Sequence, residues 1–178
     1  MSALAIPEIP VLETERLILR GHVLSDFGPY ERAFGEARTR YMGGPLGQRG
    51  AWASFCRDVA QWVLLGHGAW AVTGRDGGAF LGQVGLNRHP YFPETELGWL
   101  LVAEAEGHGY AGEAARIVRD WAYRERGITT LVSYIHRENA GSIALAERLG
   151  ARLDPDAAPC PYDDHGVWRH PSAEELAA

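Results

Sequence analysis

Glu106-Gly107-His108-Gly109-Tyr110-Ala111-Gly112 follows an apolar run that reads as a strand and opens a segment that reads as a helix. Glycines at 107, 109 and 112 let the main chain approach a ligand closely. The first turn of a helix adds unpaired N–H groups at the positive end of its dipole. Together they suit a phosphate group. A plain glycine-rich turn is the other reading of these residues. The three glycines also fit the GxGxxG spacing of dinucleotide-binding folds. Those folds place the glycines directly after the first strand of a doubly wound parallel sheet. Here Ala103-Glu104-Ala105-Glu106 intervene and several strands come first, so a dinucleotide is a remote alternative.

Upstream of the loop, Ala69–Thr73, Phe80–Leu86 and Thr95–Val102 read as three strands. The turn Gly74-Arg75-Asp76-Gly77-Gly78 joins the first two, and such short connections imply antiparallel pairing. Downstream, Ala111, Ala114, Ala115, Val118, Trp121 and Ala122 mark a helix to about Arg126, closed by Gly127. Thr130–Ile135 reads as a strand, and Asn139–Leu149 as a helix with Gly150 just past its end. Strands flanking a helix in this way pair in parallel with a right-handed crossover.

Farther out the signals are weaker. Leu12–Arg20 looks like a strand in its later half. Ser25 or Asp26 can cap a helix from Phe27 to about Ala37. Tyr41–Gly50, with four glycines and a proline, reads as a loop. Trp52, Phe55, Cys56, Val59, Trp62 and Val63 then recur at helical spacing, predicting an apolar helix face ended near Gly66. A short strand is expected near Gly166–Arg169. The tryptophans at 52, 62, 70, 99 and 121 are expected in the core. The whole reads as one mixed α/β domain over residues 11–170, with residues 1–10 as leader and 171–178 as tail.

The chain has 178 residues, enough for one domain and one core. Seventeen basic against twenty-three acidic residues give a net charge of −6, which disfavours a nucleic-acid partner. Cys56 and Cys160 make no disulfide framework. The seven histidines show no metal-ligand spacing, so no metal is expected. Met1–Pro7 lacks the pattern of a signal peptide, and no apolar run is long enough to span a bilayer. A cytoplasmic protein without membrane attachment is the expectation.

Three stretches resemble the GNAT acetyltransferases, in the branch of the Rim-type ribosomal-protein N-terminal acetyltransferases. Leu12-Glu13-Thr14-Glu15-Arg16-Leu17-Ile18-Leu19-Arg20 is similar to that branch's opening strand. Glu106 to Ala111 matches the family's Q/R-x-x-G-x-G/A loop, with Gly109 and Ala111 in its small-residue places. Arg137-Glu138-Asn139-Ala140-Gly141-Ser142, with Leu149-Gly150, matches the branch's N-x-x-S helix and closing glycine. Two departures stand out: Glu106 replaces Gln or Arg, and Ala146 stands where many relatives carry a tyrosine general acid.

The resemblance implies acetyl-CoA as co-substrate and no metal. Its pyrophosphate would lie on Gly107, His108, Gly109, Tyr110, Ala111 and Gly112. Its pantetheine arm would run along Leu100, Leu101 and Val102, in a splay between that strand and Thr130–Ile135, with Asn139 beside it. Tyr41-Met42-Gly43-Gly44 would line the acceptor pocket. The implied reaction is N-acetylation of a primary amine, either a protein N-terminus or a small molecule, by direct attack in a ternary complex. A non-catalytic acyl-CoA-binding module is the alternative. An open sheet edge is compatible with a homodimer.

Acyl transfer to an amine needs a base, a donor for the developing oxyanion and protonation of the departing thiolate. Glu96, sharing a strand face with Gly98 and Leu100, is the candidate base, at a position where relatives often carry a carboxylate. A solvated or Arg-paired strand-end glutamate is the other reading. Ser142 is the candidate donor to the sulfur, against a plain backbone bond in a first helical turn. Asn139 as a helix N-cap needs no further role. His89 and Glu94 flank the strand without an assigned part.

Overall fold

A computed structural model describes residues 8–178. The prediction about Met1–Pro7 falls outside the described residues. A single eight-stranded sheet forms the spine, built from β1 (Leu12–Glu13), β2 (Leu17–Arg20), β3 (Ala69–Gly74), β4 (Phe80–Asn87), β5 (Glu96–Leu101), β6 (Val132–His136), β7 (Arg152–Leu153) and β8 (His165–Arg169). Their order is β1-β2-β3-β4-β5-β6-β8-β7, with every pair antiparallel except β5 and β6. The helices are α1 (Phe27–Phe34), α2 (Gln48–Leu65), α3 (Tyr110–Arg126), α4 (Ala140–Arg148) and α5 (Ala173–Ala177). The mixed α/β architecture expected from the sequence is the one observed.

α3 connects β5 to β6, and α4 follows β6. Ala114, Ala115, Val118 and Ala122 of α3 are fully buried against β2, β4 and β5. These small residues let the helix lie close to the sheet, while Trp121 reaches an aromatic cluster. Trp62 of α2, Trp70 of β3 and Trp121 pack edge to face, with ring centroids 4.5, 5.0 and 5.9 Å apart. That geometry aligns the positive ring edge of one with the negative face of the next. Trp62 also donates to Ala69 O at 2.9 Å, and Trp70 to Pro10 O at 2.8 Å. Ile9 packs on the same core, so residues 9 and 10 of the expected leader belong to the packed structure.

Several boundaries differ from the sequence reading. α1 stops at Phe34, where Gly35 closes it, and Ala37–Met42 forms a 3₁₀ turn inside the region expected as helix end and loop. Asp26 does not cap α1 with its side chain. It turns back to accept from Val23 N and from the Arg20 guanidinium at 2.7 and 2.9 Å. The short β7 and α5 were not expected. α5 is set by a capping box between Ser172 and Glu175.

The largest correction concerns α2. Trp52 and Cys56, expected on its buried face, are exposed. The helix instead buries Ser54, Asp58 and Gln61 beside Phe55 and Trp62. The reason lies below it: β4 presents Gln83 and Asn87 toward α2, and these amides need partners that apolar side chains cannot supply.

Candidate active site

β5 and β6 are bridged at one residue pair, Glu96↔Val132, with Val132 N donating to Thr95 O at 3.1 Å. The Ser133 hydroxyl donates to Leu97 O at 2.6 Å just past that point. Beyond it the strands part. β5 pairs with β4 through Gln83↔Leu100 and Gly85↔Gly98, and Val102 N donates to Leu81 O at 2.9 Å. Backbone groups alternate in direction along an antiparallel pair. The amides of Leu100 and Val102 are therefore spent on β4, and Trp99 and Leu101 turn theirs toward the gap. Of the three residues named for the pantetheine arm, Leu101 alone has its backbone on that side, and Trp99 joins it.

A cleft of about 580 Å³ opens at the divergence. Glu96, Asn139 and Ser142 all line it, so the structure brings these three sequence candidates together. Tyr41, Met42 and Gly43 line it as well. Leu100, Leu101 and Val102 continue the strand away from the cleft toward the glycine loop.

Glu96 sits at the start of β5. Asn87 Nδ2 donates to its Oε2 at 3.0 Å, and Asn87 in turn accepts from Gln61 of α2 at 3.3 Å. Burial pushes the Glu96 carboxyl up to about 7. The bonds from Asn87 and the Tyr134 backbone oppose the rise, and the charge of Asp58 adds to it. Glu94, two residues away, is spent on Arg169, which it holds at 2.6 and 2.9 Å. Gly98 lies beside Glu96, where a Cβ would come within 3.0 Å of Asn87 Nδ2 and crowd the amide that holds Glu96.

Asn139 caps α4, accepting from Ser142 N at 3.2 Å. Ser142 Oγ accepts from Trp99 Nε1 at 3.2 Å. Its oxygen is thereby fixed while its own hydrogen remains available to a group in the cleft. Ala146, one turn on, is fully buried in the packing of α4.

The glycine loop leads into α3. Gly107 and Gly109 have φ of 78° and 80°, the left-handed region where a side chain is strained. Both are exposed, and a Cβ at Gly107 would meet nothing within 4 Å. His108 is exposed, with Nδ1 2.8 Å from Glu106 O and its ring stacked on Tyr110. Gly112 approaches Leu145 of α4, so it serves helix packing. Two arginines from distant segments flank the loop. Arg16 donates to His108 O at 3.0 Å and pairs with Glu113 at 2.6 Å. Arg38 donates to Leu101 O and to Glu106 Oε1, both at 2.6 Å, and also pairs with Glu36. The acidic Glu106 thus brings a guanidinium to the loop. Open main chain, left-handed glycines and a helix start fit a diphosphate, while both neighbouring guanidiniums are already paired with carboxylates.

Sequence reasoning missed Asp58, Arg38, Gln83 and Asn87. For Asp58 a signal existed: Ser54, Asp58 and Gln61 recur at i, i+4 and i+7, a polar stripe in an otherwise apolar-periodic helix. For Arg38 nothing local distinguishes it from the neighbouring Arg32 and Arg40. Among the described residues no cluster of three His, Cys, Asp or Glu could hold a metal, and no helix is long and apolar enough to cross a membrane.

Comparison with known proteins bears on the family and the fold. Residues 16–152 match the model of the acetyltransferase (GNAT) domain. An acetyltransferase from Agrobacterium tumefaciens str. C58 is 42% identical, with a TM-score of 0.88 over 97% of this chain and 100% of that one. RimL, a ribosomal L7/L12 alpha-N-protein acetyltransferase, shares the fold at 15% identity, with a TM-score of 0.71 over 91% of this chain and 93% of its own. The YkkB protein of Bacillus subtilis (strain 168) is 33% identical over 104 residues, which span 53% of this chain and 60% of YkkB. An N-acetyltransferase of the same organism, YnaD, is 26% identical over 45% of this chain and 47% of its own length. By family model and fold, the chain belongs to the GNAT acetyltransferases and is an acyltransferase of that family.

Proposed function

We propose that the protein transfers the acetyl group of acetyl-CoA to a primary amine by direct attack, with both substrates held in the cleft at once. The observation that carries this reading is a half-buried carboxyl, Glu96, lining the cleft where β5 and β6 separate and poised near neutrality. Glu96 takes one proton from the acceptor ammonium and frees the nitrogen lone pair. The N–H groups of Trp99 and Leu101 face the gap in which carbonyl oxygen charge grows. As the new C–N bond forms and the C–S bond breaks, the Ser142 hydroxyl hands its proton to the departing sulfur. The second proton shed by the nitrogen restores that hydroxyl. The main chain of Gly107–Gly112 holds the diphosphate, and Asn139 keeps the start of α4 in place beside the arm.

The reading is tested by following free thiol released from acetyl-CoA against a panel of amines and peptide N-termini. Amine-dependent release supports transfer. Tight binding of coenzyme A without release for any amine rejects it in favour of a binding module. Within the mechanism, Ser142→Ala is expected to slow turnover by about tenfold to a hundredfold while acetyl-CoA affinity holds. Turnover equal to the parent would remove Ser142 from the chemistry.

A further inference from the structure

Asp58 of α2 is a carboxylate the acetyl-transfer steps do not use. Its side chain is only 7% exposed. Its Oδ2 accepts from Tyr30 Oη at 2.9 Å and from Gln83 Nε2 at 3.0 Å. Gln83 is held in that orientation by His22, whose Nε2 lies 3.1 Å from Gln83 Oε1. Tyr30 is itself fully buried. Such support fixes a carboxylate in place, as a merely tolerated charge would not require. Its Oδ1 accepts no hydrogen bond among the described residues and is not sealed from solvent. The nearest cation, Arg57 Nε, is 3.9 Å away, beyond hydrogen-bond reach, on a half-exposed side chain. Asp58 lines the same cleft as Glu96.

The two carboxyls stand over opposite ends of one stretch of sheet. Gln83, which holds Asp58, and Asn87, which holds Glu96, are four residues apart on one face of β4, about 13 Å along the strand. Between them lie Gly85 and Gly98, paired across β4 and β5, so the cleft floor there carries no side chain. In the cleft wall His165 Nε2 lies 3.4 Å from Tyr41 O, and the Tyr41 ring packs on His136 with centroids 4.6 Å apart. A cleft of about 580 Å³ falls in the size range of small-molecule sites.

We infer that the acceptor is a small amine with a second cationic group: Asp58 holds that cation, and the reacting nitrogen lies over the glycine pair at Glu96. This rests on the acetyl-transfer reading for the role of the second nitrogen, and on Asp58 alone for the anchor. A buried carboxylate with one unfilled oxygen gains most from a charged donor, since its other partners have already oriented it.

The test compares 1,6-diaminohexane with n-hexylamine, which differ only in the second ammonium, and adds a short peptide with a free N-terminus. Calorimetric binding is measured in the presence of coenzyme A, and thiol release in the presence of acetyl-CoA. The diamine is expected to bind and react at least about tenfold better than the monoamine, in keeping with one charge-assisted hydrogen bond. Asp58→Asn should bring the ratio close to one. Equal use of the two amines by the parent protein, a ratio that survives in Asp58→Asn, or a clear preference for the peptide would overturn the inference. Because the parent comparison needs no variant, a poorly folding Asp58→Asn leaves the test intact. Diamine preference in binding without thiol release keeps the anchor and removes the transfer reading. Release without preference does the reverse.

Discussion

Replacing Glu96 with Gln is expected to lower kcat by about 10²–10⁴-fold, the usual contribution of a positioned base. It should also abolish the rise of rate with pH that the parent shows near pH 7. The sign follows from the environment. Burial raises the carboxyl from its ordinary value of 4.5 to about 7, and a base works only when ionised. Rate therefore climbs as pH passes through about 7. Stability runs the other way. The folded state holds this proton more tightly than the unfolded chain does. The resulting stabilisation is complete below about pH 4.5 and fades as pH rises through about 7. At pH 8 the parent carries an ionised carboxylate in a desolvated place, and the amide does not. Glu96→Gln should then melt above the parent at pH 8 and level with it near pH 4. Rate profiles and thermal melts at both pH values check this, and an unchanged acid limb would remove Glu96 as the base. Gain of stability on loss of activity is the expected signature of a functional group kept against its folding preference.

Trp70→Ala is the second large effect. Trp70 is fully buried between Trp62 and Trp121, and its Nε1 donates to Pro10 O. Truncation removes both edge-to-face contacts, leaves Pro10 O without that donor and opens a cavity where α2, β3 and α3 meet. Large-to-small changes of this kind cost about 3–5 kcal/mol. For a domain of this size that lowers the melting midpoint by about 10 °C. Urea titration followed by the fluorescence of the remaining tryptophans measures it. A loss below about 1 kcal/mol would show that the cluster closes over the gap or is not the keystone of the three layers.

Much of this was readable in the chain. The left-handed glycines of the 107–109 loop, the Asn139 cap, and Gly150 just past α4 with φ of 86° all announce themselves, because turns and helix ends demand particular residue types. The parallel crossover through α3 followed from the strand–helix–strand order. Glu96 and Ser142 were legible through likeness to a family, and the structure places both in one cleft. What escaped was whatever depends on a distant partner. Trp52 and Phe55 share a helical period, yet α2 buries Asp58 and Gln61 and exposes Trp52, because Gln83 and Asn87 wait on β4. Arg38 reaches Glu106 and Leu101 across more than sixty residues, and no local pattern encodes such a meeting. Glu106, together with Glu36, pairs the Arg38 guanidinium at the edge of the loop.

The single bridge between β5 and β6 leaves the sheet one strand short. Trp99 and Leu101 lie beyond the last ladder bond, so deuterium from solvent should reach their amides sooner than those of Leu100 or Val102, which β4 protects. A thioester arm lying in that seam would act as the absent strand, slowing exchange at those two positions and knitting the halves of the sheet together. Completing the fold and loading the co-substrate would then draw on the same backbone bonds, with saturation at a hundred times Kd adding about 2.7 kcal/mol to the protein's resistance to unfolding.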